Sequence, residues 1–289
     1  MAIVALASAK GAPGVSTTAV ALTMLWHRPA VLVEADVSGT SAVMAGYLRA
    51  SLPHDRGLVQ LGLARRSAPL TVQDLWDNTL TLGPDRHLVP GLSDPAQGLG
   101  LSDLGHAEAL PGIWAELTTV LLGLERAGVD AIVDVGRLGA AYGPVPLLRA
   151  ADAVVLLTGT RLPDLTALDA RHGRLVDDLQ TNGAGSDALA VLPVGEGRGE
   201  HPAGESPYTV REITRGVTGA HVLQPLPWAP LEAGVYGHGF AARRRHQQSG
   251  YVRAINTLGA SLQDLARRRQ ERLRPDAGQA PTIPVQETP

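Results

Sequence analysis

A glycine-containing segment near the N-terminus has the residue types and the surroundings of a phosphate-binding loop. Residues 9–18 read Ala-Lys-Gly-Ala-Pro-Gly-Val-Ser-Thr-Thr, between a short apolar run and a longer one. A strand, a loop of small residues and a helix, in that order, let backbone N–H groups and a helix N-terminus bind phosphate oxygens. Gly11 and Gly14 supply the backbone freedom that such a loop needs. Ser16 stands where the hydroxyl group of a P-loop contacts magnesium.

The loop departs from the common P-loop pattern at the position of its lysine. The pattern G-x-x-x-x-G-K-[ST] has a lysine after its last glycine, where this chain has Val15, and Ala9 replaces the first glycine. Lys10 is the only lysine of the chain. It indicates that a compact ammonium group is needed at the mouth of the loop. The alternatives are chance in an arginine-rich composition and a strand-to-helix turn that merely contains glycines.

Residues 10–17 resemble the deviant Walker A motif, K-G-G-x-G-K-[ST]-T, of the MinD/ParA family of P-loop ATPases. The resemblance implies that Lys10 acts catalytically across a nucleotide-sandwich homodimer, on the phosphates of the other subunit. It also implies that ATP or ADP binds with Mg²⁺. The expected nucleotide contacts in the loop are Gly11, Ala12, Pro13, Gly14, Val15, Ser16 and Thr17. Because Val15 replaces the lysine that holds the phosphates within one subunit, we expect weak or absent hydrolysis.

Carboxylates at two strand ends suit a magnesium site. An apolar run that ends in Asp134 matches the Walker B pattern, in which the carboxylate holds Mg²⁺ directly or through water. Asp36 follows a second buried-strand pattern and could orient water or complete the magnesium shell. The family has D-x-D-x-x-G here; Asp36 and Gly39 match it, and Glu34 replaces the first aspartate. We therefore predict a metal site of Ser16, Asp36 and Asp134, with Asp36 also catalytic; a plain strand end with a turn is the alternative.

Two further segments bear on the ligand. The segment 226–230, Leu-Pro-Trp-Ala-Pro, resembles the family's turn against adenine, which makes Pro227 and Trp228 predicted nucleotide contacts. The adenine-reading asparagine of the family is missing after the strand pattern at 188–193. Arg137, just beyond the Walker B strand, faces a phosphate or a partner subunit, or is a solvated loop arginine.

Alternation of strand and helix patterns predicts an α/β fold with a mostly parallel central sheet and helices on both faces. About seven strands are predicted, at 3–7, 30–35, 87–91, 129–135, 153–158, 188–193 and 222–228. In such a sheet the loop, Asp36 and Asp134 all lie at the carboxyl ends of the strands. Residues 1–265 form the predicted P-loop domain, and no chemistry is assigned to residues 48–110.

The composition excludes several classes of site. The 289 residues are 44% hydrophobic and include no cysteine, which excludes disulfides and thiolate metal sites and fits a reducing compartment. No signal-peptide pattern and no run of ~18 apolar residues is present, so we expect a cytoplasmic protein. Esterase-elbow, zinc-protease and calcium-loop motifs are not found.

The C-terminal part is basic. Residues 243–274 contain nine arginines and two acidic residues, a net charge of +7, so the rest of the chain carries −10 of the total of −3. The predicted helix end at 266–274 could bind non-specific DNA or an anionic membrane surface through Arg267 to Arg274, which would place the protein at the nucleoid or the membrane. A solvated helix end is the alternative. Residues 275–289 are predicted to be disordered.

Three functions fit the sequence. The first is a MinD/ParA-like nucleotide-dependent dimer switch that positions a cargo in partitioning, division or secretion through a protein partner. The second is a pseudo-ATPase scaffold of the same fold. The third is a P-loop synthetase of cofactor biosynthesis, for which the sequence shows no second substrate site.

Overall fold

The computed structural model describes residues 2–11, 14–98, 110–140, 143–183, 185–195 and 207–273. Its centre is an eight-stranded sheet in the order β3-β4-β2-β5-β1-β6-β7-β8. The strands are β1 Ile3–Ser8, β2 Ala30–Glu34, β3 Leu80–Gly83, β4 Arg86–Val89, β5 Asp130–Arg137, β6 Ala153–Thr158, β7 Leu189–Pro193 and β8 His221–Val222. All neighbouring strands are parallel except β3 and β4. The predicted mostly parallel α/β sheet is confirmed.

Helices cover both faces of the sheet. They are α1 Val15–Leu25, α2 Leu58–Ala64, α3 Val72–Asp77, α4 Leu110–Gly123, α5 Val145–Ala150, α6 Leu162–Asn182, α7 Val210–Gly216, α8 Pro230–Gly237 and α9 Gly250–Leu273, with a π-helical segment at Val43–Tyr47. Successive side chains of a strand point to opposite faces. In β1, Ile3 and Ala5 therefore pack in one core layer with α4, α5 and α6, and Val4 packs in the other with α1 and α9. No helix in the described part of the chain is long and apolar enough to cross a membrane.

The sheet differs from the sequence prediction at both ends. β3 was not predicted; it forms a short antiparallel hairpin with β4 through a turn in which Asp85 has a φ of +55°. The predicted last strand, 222–228, is reduced to the end of β8 and a single bridge between Val194 and Leu226. Pro225 and Pro227 have no N–H to donate, which prevents a continuous ladder there.

Two buried aspartates hold the amino-terminal edge of the sheet. Asp130 accepts hydrogen bonds from the Ala2 N–H and the Trp26 indole, both at 2.8 Å. Asp152 accepts from the Ile3 N–H at 2.8 Å and pairs with Arg269 of α9 at 2.8 Å. α9 is therefore fixed to the sheet near its own C-terminal end. It continues without a break past residue 265; the predicted disordered tail, 275–289, lies outside the described residues.

Candidate functional site

The predicted phosphate-binding loop joins β1 to α1 at the carboxyl edge of the sheet. Gly14 has a φ of +79°, a left-handed conformation that favours glycine, and it caps α1 without a side-chain hydrogen bond to the helix. The first N–H groups of α1 are thus not occupied by a capping side chain, which leaves them available to an anion. Ala12 and Pro13 lie outside the described residues.

A cavity of about 370 Å³ lies over this loop. Its walls include the loop, the end of β6, the start of α6, the residues after β7, the segment that leads into α8, α8 itself and one residue of α9. Of the predicted nucleotide contacts, those in the lining are Gly11, Gly14, Thr17, Pro227 and Trp228. Volumes of this size are typical of small-molecule sites. The structure therefore brings the loop and the 226–230 turn, more than 200 residues apart in sequence, to one cavity.

Ser16 and Asp134 meet beside the loop. The Asp134 carboxylate is buried and forms hydrogen bonds with the Ser16 hydroxyl and, at 3.0 Å, with the Gly136 N–H. Burial raises the pKa of Asp134 to about 7; the charges of Glu34 and Asp36 act in the same direction, and the two hydrogen bonds oppose it. A divalent cation would offset this crowding of negative charge.

Asp36 lies next to Asp134 at the same strand ends. Its Oδ1 accepts hydrogen bonds from the Ser38 N–H at 2.8 Å and the Ser38 hydroxyl at 2.6 Å. Its carboxyl group also lies against Gly136, where a β-carbon would come within 2.1 Å of it. In the described residues, no three acidic or histidine side chains form a metal cluster by themselves. The donors instead suit Mg²⁺, which is usually held by one or two carboxylates together with water and substrate phosphates.

No protein-family model matches the sequence, and no curated protein matches it. Solved structures do match. A ParA family ATPase from Chlorobium tepidum has a TM-score of 0.65 at 13% identity, over 90% of this chain and 98% of its own. The MinD cell division protein of Aquifex aeolicus has a TM-score of 0.62 at 14% identity, over 91% and 98%. An ATP complex of McdA from Cyanothece has a TM-score of 0.65 at 16% identity, over 92% and 96%.

This chain has the MinD/ParA-like P-loop fold. The likeness extends over about nine-tenths of the chain. At these identities the shared property is the fold.

Lys10 lies at the rim of the cavity in this MinD/ParA-like fold. Its Nζ is 3.5 Å from Oδ1 of Asp164, and its side chain is 52% exposed. Asp164 is in the first turn of α6 and also lines the cavity. Asp164 was not predicted as a site residue, because an acidic residue in a first helical turn is ordinarily explained by the helix dipole alone.

Val15 occupies the position of the missing lysine as a core residue. It is 6% exposed and packs in the layer that contains Leu6 and Val20. It does not line the cavity. The side chain at this position therefore contributes to packing below the loop; only its backbone remains as a predicted nucleotide contact.

Glu34 has a structural role that the sequence did not reveal. It is paired with Asp134 in the sheet register, yet its carboxylate accepts hydrogen bonds from the Val43 N–H at 2.9 Å, the Gly91 N–H at 3.1 Å and the Ser41 hydroxyl. Burial raises its pKa, and these hydrogen bonds oppose the shift. Glu34 thus holds the π-helical segment and the end of β4 beside the site.

The basic end of α9 is partly engaged by the rest of the molecule. Arg269 pairs with Asp152, and Arg272 pairs with Asp187. Among the described residues, Arg267 pairs only with Asp264 of its own helix; it is 64% exposed and is followed by exposed Arg268. Arg274 lies outside the described residues.

Proposed function

We propose that this protein binds ATP or ADP with Mg²⁺ in the cavity over the loop and acts as a nucleotide-dependent dimer switch that positions a cellular cargo. The observation that carries the proposal is that the glycine loop and the 226–230 turn line one cavity. The Ser16–Asp134 pair lies directly beside that loop, although it is not part of the cavity lining. Two solved structures of this fold contain such ligands, the McdA complex with ATP and a MinD from Pyrococcus horikoshii with Mg-ADP.

Each part of the site has a distinct role in this proposal. Backbone N–H groups of the loop and of the start of α1 bind phosphate oxygens. Ser16, Asp134 and Asp36 hold Mg²⁺, which when bound neutralises part of the phosphate charge. Pro227 and Trp228 line the cavity and would contact the base. Asp36, oriented by Ser38, is the carboxylate placed to position an attacking water.

A dimer over the cavity is supported by what lies exposed around its rim. Lys10 is half exposed there, and Trp228, which also lines the cavity, is 59% exposed. Tryptophan is enriched at protein–protein interfaces. We propose that Lys10 leaves Asp164 and contacts the phosphates in the other subunit when nucleotide is bound. A protein partner would then recognise the dimer; the Aquifex aeolicus MinD has been solved in complex with MinC.

A second candidate, a pseudo-ATPase scaffold, is favoured by one observation, the burial of Val15. Without an ammonium group at this position, the phosphates lose one charge-assisted contact within the subunit, worth ~1.5–3 kcal/mol or roughly one to two decades of affinity. The same loss lowers hydrolysis. The two candidates differ in whether nucleotide binds at useful concentrations.

Isothermal titration calorimetry tests the proposal. We expect ATP to bind the full chain with Mg²⁺ and to bind much more weakly in EDTA. Asp134→Ala and Ser16→Ala should remove the Mg²⁺-dependent part, and circular dichroism should show that both variants remain folded. Arg66→Gln, a change at an exposed arginine away from the site, is the matched control. If ATP with Mg²⁺ produces neither heat nor a thermal shift, the scaffold is favoured. If the Asp134→Ala variant binds as well as the unmodified protein, Asp134 does not take part in binding Mg²⁺.

A further inference from the structure

A second cleft lies on the face of the sheet opposite α1. It has a volume of about 210 Å³ and is formed by the end of β5, the loop that follows it, α5 and the second half of α6. Arg137, for which the sequence left open a phosphate contact, a partner contact or a solvated loop position, lines this cleft and is not part of the lining of the nucleotide cavity. The cleft therefore needs an explanation separate from nucleotide binding.

Three arginines line the cleft without acidic partners. Within the described residues, Arg137, Arg171 and Arg174 form neither a hydrogen bond nor an ion pair, although Arg171 lies so close to Gly139 that a β-carbon there would come within 2.0 Å of its Nη1. The acidic residue of the cleft, Asp178, is already engaged by Arg149 through two hydrogen bonds, of 3.0 and 2.5 Å. The positive charge of the three arginines is therefore not neutralised from within the cleft.

The rest of the lining is apolar. Val135, Leu148 and Leu175 form a buried floor, and Val145 at the rim is 41% exposed. A simple anion such as phosphate would contact the arginines but would leave the exposed rim residue Val145 uncovered. A nucleic acid backbone would need a larger basic surface, and outside residues 243–274 this chain carries a net charge of −10. The chemistry that matches both parts of the lining is a carboxylate next to aliphatic side chains.

We propose that this cleft binds an acidic peptide segment of a partner protein, in which Asp or Glu side chains pair with Arg137, Arg171 and Arg174 and neighbouring Leu, Ile or Val side chains cover the apolar floor. Arginine forms planar, bidentate pairs with carboxylates, so a peptide carboxylate fits these groups better than it would fit lysines. Peptide binding in this cleft does not require a bound nucleotide.

The position of the cleft would let a bound peptide affect the other site. Asp134 faces α1 and the loop, whereas the next residue of β5, Val135, faces the cleft. Val37 of the cleft follows Asp36 directly. Two short segments therefore connect the peptide cleft to both carboxylates of the predicted metal site.

The test uses the full chain and a phage-displayed library of random short peptides, selected without nucleotide. We expect enrichment of sequences in which Asp or Glu stands beside Leu, Ile or Val. A synthetic peptide of the enriched sequence should bind at least about tenfold more weakly to Arg171→Gln and to Arg174→Gln, because each variant loses a charge-assisted contact. Arg66→Gln should bind like the unmodified protein.

Two further comparisons make the test decisive. The same peptide with Gln in place of Glu and Asn in place of Asp should lose binding, and Val145→Ser should weaken it without changing the charge of the cleft. The proposal would be overturned by selection of no common sequence, by enrichment of sequences without acidic residues, or by equal binding to the arginine variants. Because nucleotide is left out, failure here is distinct from failure of the calorimetric test above.

Discussion

At the scale of single residues, Glu34 has a structural role at a position where the family pattern has an aspartate beside the site. Its longer side chain, at a position where the family pattern has aspartate, reaches the N–H groups of Val43 and Gly91. Buried N–H groups that lose their acceptor cost about 1–3 kcal/mol each. The carboxylate therefore supports the fold around the site.

Glu34→Ala should accordingly lower the free energy of unfolding by about 3 kcal/mol or more, because three buried donors lose their acceptor. Glu34→Gln retains one acceptor oxygen and should cost roughly half as much. Urea denaturation followed by circular dichroism measures both. If the alanine variant is as stable as the unmodified protein, the carboxylate does not hold these segments.

At the scale of helices, α6 carries a buried histidine in an otherwise apolar face. His172 is 7% exposed and lies between Leu168 and Leu175 on the buried side of the helix. Burial lowers its pKa below the usual 6.5, and the charge of Asp169 opposes the shift. The folded state thus binds a proton less readily than the unfolded chain does.

His172 makes the protein less stable at low pH than at neutral pH. A histidine with a lowered pKa contributes stability that is present above pH 6.5 and is lost as the pH falls through the folded-state pKa. His172→Leu should therefore reduce the loss of stability between about pH 8 and about pH 5, as measured by urea denaturation. His221→Asn, at an exposed histidine, is the control and should leave the pH dependence unchanged. An unchanged slope in His172→Leu would contradict this account.

The C-terminal end of α9 also has a testable division of roles. Because Arg269 and Arg272 are engaged by Asp152 and Asp187, the arginines that remain for an anionic polymer in the described part of the helix are Arg267 and Arg268. We expect low-salt DNA binding with a slope of log K against log salt of about −2 per chain.

The double variant Arg267→Gln/Arg268→Gln should remove this binding, whereas Arg269→Gln should mainly lower stability. Fluorescence anisotropy with labelled duplex DNA measures the first effect and thermal denaturation the second; vesicles of anionic lipid provide the comparison with a membrane surface. If the double variant binds DNA as well as the unmodified protein, or if no binding occurs at low salt, the helix end is a solvated surface and not a DNA-binding site.

At the scale of the whole molecule, the sequence was sufficient for features that depend on local pattern. Buried strands are continuous apolar runs, and the carboxyl ends of parallel strands share one edge, so the meeting of Ser16, Asp36 and Asp134 followed from chain order alone. β3 was missed because a four-residue, half-exposed strand has little hydrophobic signal.

Features that depend on tertiary contacts were not predictable. Asp164 lies 154 residues from Lys10, and no local pattern joins them. Arg171 and Arg174 share α6 with several acidic residues, so the sequence does not show that neither arginine forms an ion pair within the described residues. The segment 222–228 was predicted as one strand. In the structure it has little strand pairing because of its prolines, but its end lines the cavity.

Sedimentation velocity of the full chain with ATP, with ADP and without nucleotide, each with Mg²⁺, tests the central claim most directly. Lys10 is the chain's only lysine, and at the rim of the cavity it is held by a long, half-exposed ion pair that a partner's phosphates could replace. We predict a monomer without nucleotide, a dimer with ATP, and a monomer with ATP in the Lys10→Ala variant, while Arg66→Gln dimerises normally. A monomer under all three conditions would contradict the dimer switch, and so would a dimer of equal stability under all three conditions and in Lys10→Ala.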